Sequence, residues 1–147
     1  MVSGEPIRRF ARLGLPRQLL IVEAILALAA ARAAVVLLPF KSAVRLGSRN
    51  LGGSDPASAE AVDKICWSVR AASVRVPWRA MCFERGLALQ WMLRRRGTDA
   101  RLVYGARLQD EEGLDAHVWV TLGERILIGG EQAQSYRRLA THPECSP

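Results

Sequence analysis

The chain holds three cysteines and two histidines, and these are the side chains best suited to covalent chemistry. Thiolate attacks carbonyl carbon. A cysteine becomes a useful nucleophile when a helix N-terminus or a neighbouring imidazolium lowers its pKa. Cys82 has the right setting, because a helix is expected from about Trp78 to Arg96, ending before Gly97. Cys82 then lies about one turn inside. The helix dipole favours an anion there, and unpaired backbone N–H groups of that turn could hold an oxyanion. Cys66 falls in the middle of an earlier helix and Cys145 in a loose tail, so neither shares that setting. Of the histidines, His142 precedes Pro143 in the tail. His117 sits mid-strand in Asp115-Ala116-His117-Val118-Trp119-Val120 and is the natural base.

Strand alternation puts Asp115, His117, Trp119 and Thr121 on one face. Packing that face on the Cys82 helix would bring imidazole to thiol. A third group should fix the imidazole tautomer. A three-residue Gly123–Arg125 loop would pair Leu122 with Ile126 and set Glu131 opposite His117; a two-residue loop would put Gly130 there. Gly129-Gly130 invites a bulge, so the register stays open. Glu131 is the first choice of acid, Asp115 the second and Gln132 a neutral alternative. Trp78, beside the start of the Cys82 helix, is a candidate substrate contact. Trp119 and Trp91 either line the cleft or fill the core, and core filling is the commoner use of such residues. No CxxC and no metal-ligand spacing is present, so neither metal nor cofactor is expected.

These residues need a scaffold, and 147 residues suffice for one domain with a core that requires no disulfide. An odd cysteine count without a secretory signal points to a reducing cytoplasm. Residues 18–38 are apolar and almost long enough to span a bilayer, but Glu23 and Arg32 lie inside them. A buried or half-buried helix bounded by Pro16 and Pro39 is the expectation, with weak membrane-surface contact as the minor alternative. Residues 1–50, read as mostly one helix, carry eight basic residues against Glu5 and Glu23, which accounts for +6 of the net +7. Such a segment favours an acidic partner, or is simply a solvated arginine-rich face.

Residues 47–56 read as turn, separating this basic segment (1–50) from a core over 51–147, the two forming one compact unit. Ser54 or Asp55 is expected to cap a helix with Pro56 at its first position, running to about Ser73. After Gly97 the apolar period changes from 3.6 to 2. Strands are expected at Arg101–Leu108, Leu114–Leu122 and Arg125–Ile128, with the tail frayed from Ala140. The fold class is therefore α+β, a Cys-bearing helix packed on a small antiparallel meander.

The run Cys82-Phe-Glu-Arg-Gly-Leu-Ala-Leu-Gln-Trp-Met-Leu-Arg-Arg-Arg-Gly97, then Ala100-Arg-Leu-Val-Tyr-Gly105 and Ala116-His-Val-Trp-Val120, resembles the leader peptidases of lasso-peptide biosynthesis. Those enzymes are transglutaminase-like cysteine proteases with a transglutaminase/papain-like core. The stronger likeness covers residues 76–130, and Leu19–Leu38 with Pro39-Phe40 is similar to the family's opening. The resemblance implies a Cys-His-Asp triad with Cys82 and His117 as its first two members. Where the family's Asp is expected, this chain has Ile128-Gly129-Gly130-Glu131, so the acid does not match. The resemblance further implies that the leader is cut from a lasso precursor so that a separate ATP-dependent cyclase can close the ring. Residues 1–50 leave no room for a fused leader-recognition domain, so a separate leader-recognition protein is the implied partner, and the lasso cyclase another.

Three rivals stand beside this reading. Acyl transfer uses the same Cys–His pair, and a primary amine in the assay would reveal it. A non-catalytic peptide-binding scaffold would usually have lost Cys82 or His117. A nucleic-acid binder should interleave aromatics with its basic residues, and this chain does not, so no nucleic-acid partner is expected.

Overall fold

A computed structural model describes residues 5–49, 55–110 and 113–144. The candidate cap Ser54, part of the turn before Gly113, and Cys145 lie outside the described residues. Five α-helices come first: α1 (Glu5–Arg12), α2 (Leu15–Leu37), α3 (Phe40–Ser48), α4 (Ala59–Ser73) and α5 (Cys82–Arg94). Strands β1 (Arg101–Gln109), β2 (Gly113–Leu122) and β3 (Arg125–Ile128) follow, then a 3-10 turn at Gly130–Ser135 and strand β4 (Arg137–His142). The four strands form one antiparallel sheet in the order β3-β2-β1-β4. The class is α+β, as expected.

The basic N-terminal segment is three helices rather than one, because Gly14-Leu15-Pro16 and Leu38-Pro39 interrupt it. Proline lacks the N–H a continuing helix needs, yet fits a first turn, where Pro16 now sits. Helix α2 is apolar nearly all round and buries only the stripe Ile21, Ala24, Leu28, Ala31 and Ala34. The alanines let α2 approach α4 and α5 closely, and its core is continuous with Leu87, Leu89 and Leu93 of α5. By length and composition alone α2 could cross a membrane. All three of its charges meet a partner: Arg17 lies over the Trp67 ring of α4 at 5.7 Å, Glu23 holds Arg95 and Arg96, at 2.7 and 2.6 Å, and Arg32 holds the buried Glu84 at 2.9 Å.

Helix α4 starts later than expected. Ser58 is its cap, accepting from the Ala61 N–H at 3.2 Å, and Pro56 lies outside it. Helix α5 also starts later. Residues 77–80 are irregular, Met81 is the N-cap and Cys82 the first helical residue. Glu84 fixes this start, because one of its carboxylate oxygens accepts from the Met81 N–H at 3.4 Å while the other takes Arg32.

The sheet turns a different face to α5 than expected. A Cβ built on Gly86 of α5 would lie 2.8 Å from Leu102, 3.1 Å from Val118 and 3.5 Å from Val120. The face of β2 that meets α5 is thus Val118 and Val120. Trp119 points the other way, into a second core with Val103, Ala133 and Tyr136. The reason is that β2 is apolar on both faces and each face has a layer to cover.

Strands β2 and β3 join through a two-residue turn, pairing Leu122 with Arg125. The register then shifts, so that Val120 pairs with Ile128, and pairing stops there. The irregularity lies before Gly129-Gly130, not at it. From Ala140 to His142 the tail is strand rather than frayed: β4 pairs with β1, and Gln90 of α5 donates to the His142 carbonyl at 2.7 Å.

Candidate active site

Because β3 ends at Ile128, the stretch of β2 around His117 has no strand beside it on that edge. The chain instead turns at Gly129, where φ is +79°. A cavity of about 410 Å3 opens at this notch, lined by Arg70, Cys82, Arg85, His117, Val118, Ile128, Gly129, Glu131 and Gln132. Cys82 and His117 therefore share one cavity although His117 is not on the strand face packed against α5. Cys82 enters from the first position of α5, beside the helix's N-terminal amides. Cys66 is buried in the helical core, and that burial pushes its thiol pKa up. It is a packing residue.

The imidazole is held at its far nitrogen. His117 Nε2 lies 2.8 Å from the Gly129 carbonyl oxygen. A carbonyl only accepts, so Nε2 carries the proton and the neutral ring keeps Nδ1 as its basic nitrogen. Neither candidate carboxylate makes this contact. Asp115 accepts from the Tyr136 hydroxyl at 2.7 Å and from Arg107 Nε at 3.0 Å. The Tyr136 bond holds the Asp115 carboxyl below its usual range, with Arg107 adding to it, and the same bond raises the Tyr136 pKa. Glu131 lines the cavity from the exposed 3-10 turn, as does Gln132. The group that His117 Nε2 contacts is a main-chain oxygen, which residue types could not reveal.

Around the imidazole, Tyr136 lies 5.1 Å from its centroid and Trp119 at 6.1 Å. Arg107 covers the Tyr136 ring at 4.7 Å. Tyr136 had no sequence signal beyond being one of two tyrosines. Trp119 is buried and supports His117 rather than lining the cavity, which corrects its place among the substrate contacts. Trp78 packs half-buried against the main core and does not line the cavity either. Trp91 lines a separate apolar groove between α2, α3 and α5.

No curated protein and no solved structure matches the sequence. A family model, the transglutaminase-like superfamily, does match, over residues 24–141. That span runs from the buried stripe of α2 through the Cys82 helix and the whole sheet, and the superfamily's activities are those of cysteine peptidases and acyltransferases. With a match over most of its length, the chain belongs to the transglutaminase-like superfamily.

Proposed function

We propose that this chain is a cysteine peptidase that removes the leader from a lasso-peptide precursor, with Cys82 as nucleophile and His117 as base. The observation that carries the reading is the joint placement of Cys82, at the first turn of α5, and His117 in a single cavity. The specific task rests on the likeness of Cys82–Gly97 and Ala116–Val120 to the leader peptidases.

In this mechanism Nδ1 of His117 takes the Cys82 proton. The thiolate adds to the leader–core carbonyl, and amides at the α5 N-terminus face the developing oxyanion. The imidazolium then protonates the leaving amine of the core, leaving the leader as a thioester. His117 next deprotonates water, which releases the leader carboxylate and regenerates the thiol. Throughout, the Gly129 carbonyl accepts from Nε2, keeps the ring oriented and disperses part of the imidazolium charge. A neutral acceptor does this less strongly than a carboxylate. Glu131 and Asp115 act, if at all, through the field they add.

The reaction takes place in the cytoplasm, with a separate leader-recognition protein delivering the precursor and a cyclase taking up the freed core. The basic residues Arg8, Arg9, Arg12 and Arg17 form the contact to one of them. A pull-down unchanged by Arg→Gln at all four positions counts against that contact. The activity itself is tested by mass spectrometry of precursors from neighbouring genes, incubated with the chain and a leader-binding protein. Release of intact leader and core, lost in Cys82→Ala and His117→Ala, is the expected result. An amide formed with added primary amine would instead mark an acyltransferase. No turnover with any partner would leave a peptide-binding scaffold.

A further inference from the structure

Two guanidinium groups in the Cys82 cavity have no anionic partner among the described residues. Among the described residues, Asp63, Glu84, Asp99, Asp115 and Glu23 each hold an arginine other than Arg70 or Arg85. Arg70 and Arg85 both line the cavity, and neither forms an ion pair with a described carboxylate. Glu131 lines the same cavity without reaching either of them within ion-pair distance. Arg70 is fixed through one edge only, Nη2 donating to the Leu127 carbonyl at 2.7 Å. Arg85 follows Cys82 by three residues on α5 and so projects from the same side of the helix. Its Nε is buried and has no hydrogen-bond partner among the described residues. A buried N–H without an acceptor costs stability. By contrast Arg32, Arg95 and Arg96, which join α2 and α5, are given carboxylates.

We propose that Arg85, with Arg70, forms a carboxylate-binding subsite beside Cys82, and that the substrate presents an acidic group next to the bond that is cut. The guanidinium fork matches a carboxylate in two parallel hydrogen bonds, which a lysine would not provide. The positive end of α5 adds to the same preference. The carboxylate comes either from an Asp or Glu side chain or from a peptide C-terminus. The proposal rests on Cys82 being the nucleophile.

The two can be separated with a pair of small alkylating agents. Iodoacetate and iodoacetamide react identically: the thiolate sulfur forms the S–C bond and iodide leaves. They differ only in carrying a carboxylate or a neutral amide. Modification of Cys82 is followed by peptide-resolved mass spectrometry on the full chain at fixed ionic strength. Iodoacetate is expected to show saturation with concentration, and iodoacetamide a linear dependence. Arg85→Gln lowers the iodoacetate rate roughly tenfold relative to iodoacetamide, as expected for loss of a charge-assisted hydrogen bond. Arg70→Lys, which keeps the charge but loses the fork, lowers it less. Neutralising Lys41 and Arg45 of α3 and Arg138 of β4, none of which lines this cavity, leaves the iodoacetate preference intact and so excludes a general charge effect. N-acetylglutamate α-amide and N-acetylglycine are then compared as protectants, and the better one names the source of the carboxylate. Linear iodoacetate kinetics, an unchanged ratio in Arg85→Gln, or protection by neither compound overturns the subsite while leaving the nucleophile standing. Iodoacetamide reacting with Cys82 no faster than with glutathione overturns the nucleophile instead.

Discussion

Replacing Gly129 by alanine tests the orienting carbonyl most directly, and the cost can be worked from two glycines that share one backbone conformation. Gly129 has φ +79° and Gly123 has φ +58°. An alanine at either position bears the left-handed penalty of about 1–2 kcal/mol. At Gly123 a Cβ meets nothing within 4 Å, so that penalty is the whole effect. At Gly129 the Cβ would stand 2.7 Å from the Val118 carbonyl oxygen and 3.1 Å from the Trp119 Cβ. Both obstacles are main chain or its first side-chain atom, so neither can swing aside. Overpacking of this kind adds about 1–3 kcal/mol. Gly129→Ala should therefore cost about 2–5 kcal/mol, against about 1–2 for Gly123→Ala. At this chain length the corresponding falls in Tm are about 6–20 °C and about 3–8 °C. Thermal and urea unfolding followed by tryptophan fluorescence reads both, since Trp119 sits against the substituted position. Equal losses in the two variants would refute the argument that contact with β2 fixes where the Gly129 carbonyl lies. A Gly129→Ala protein that folds but keeps the wild-type pH profile of Cys82 alkylation would refute the carbonyl's role in orienting His117.

Other perturbations have equally definite outcomes. Cys82 should be alkylated fastest of the described cysteines, and lose that advantage in His117→Ala. Buried Cys66, whose pKa is raised, should resist alkylation until the protein unfolds. Arg32→Ala leaves the Glu84 carboxylate buried without its cation; because Arg32 is itself half exposed, the loss should be about 2–3 kcal/mol, below the range for fully buried pairs. Combining it with Glu84→Gln should recover part of that loss in urea unfolding. The Glu23 carboxyl is depressed below its ordinary value of 4.5, first by its hydrogen bond from Arg96. A depressed acid contributes stability that is present above the unfolded pKa and lost as pH falls through the folded one. The stability gap between wild type and Glu23→Gln should thus be constant above about pH 5.5 and close on acidification below 4.5. A gap that widens in acid would contradict the pairing.

The sequence carried the class of fold, three strands within a residue or so, and the nearness of Cys82 to His117, which line one cavity. What it missed has physical causes. The start of α5 was placed at about Trp78, directly after the Val76-Pro77 break, and only Glu84 closing back on the Met81 N–H shows where the helix begins. Strand β4 went unread because Arg137-Arg138-Leu139-Ala140-Thr141-His142 has no alternation of apolar and polar residues. As the edge strand beside β1 it has no need of any, and basic residues at an edge discourage further pairing. The face of β2 was assigned the wrong way round because Val118 and Val120 compete with Trp119 for burial, and period 2 cannot say which set meets a helix. The third member of the site was sought among carboxylates. The group bonded to His117 is a peptide oxygen, and every residue has one.

Helix α2 bears on how the protein can be cut. Its charges grip α5 near both ends, Arg32 through Glu84 beside the first turn and Glu23 through Arg95 and Arg96 just past the last. Truncation at the family boundary, residue 24, would sever α2 inside its own buried stripe, removing Ile21 and Glu23 while leaving Ala24 and Leu28. The remaining fragment would keep every residue of the cavity and lose the brace at one end of the nucleophile's helix. The smallest unit that keeps this brace therefore includes the part of α2 ahead of residue 24, before the region by which the family is recognised.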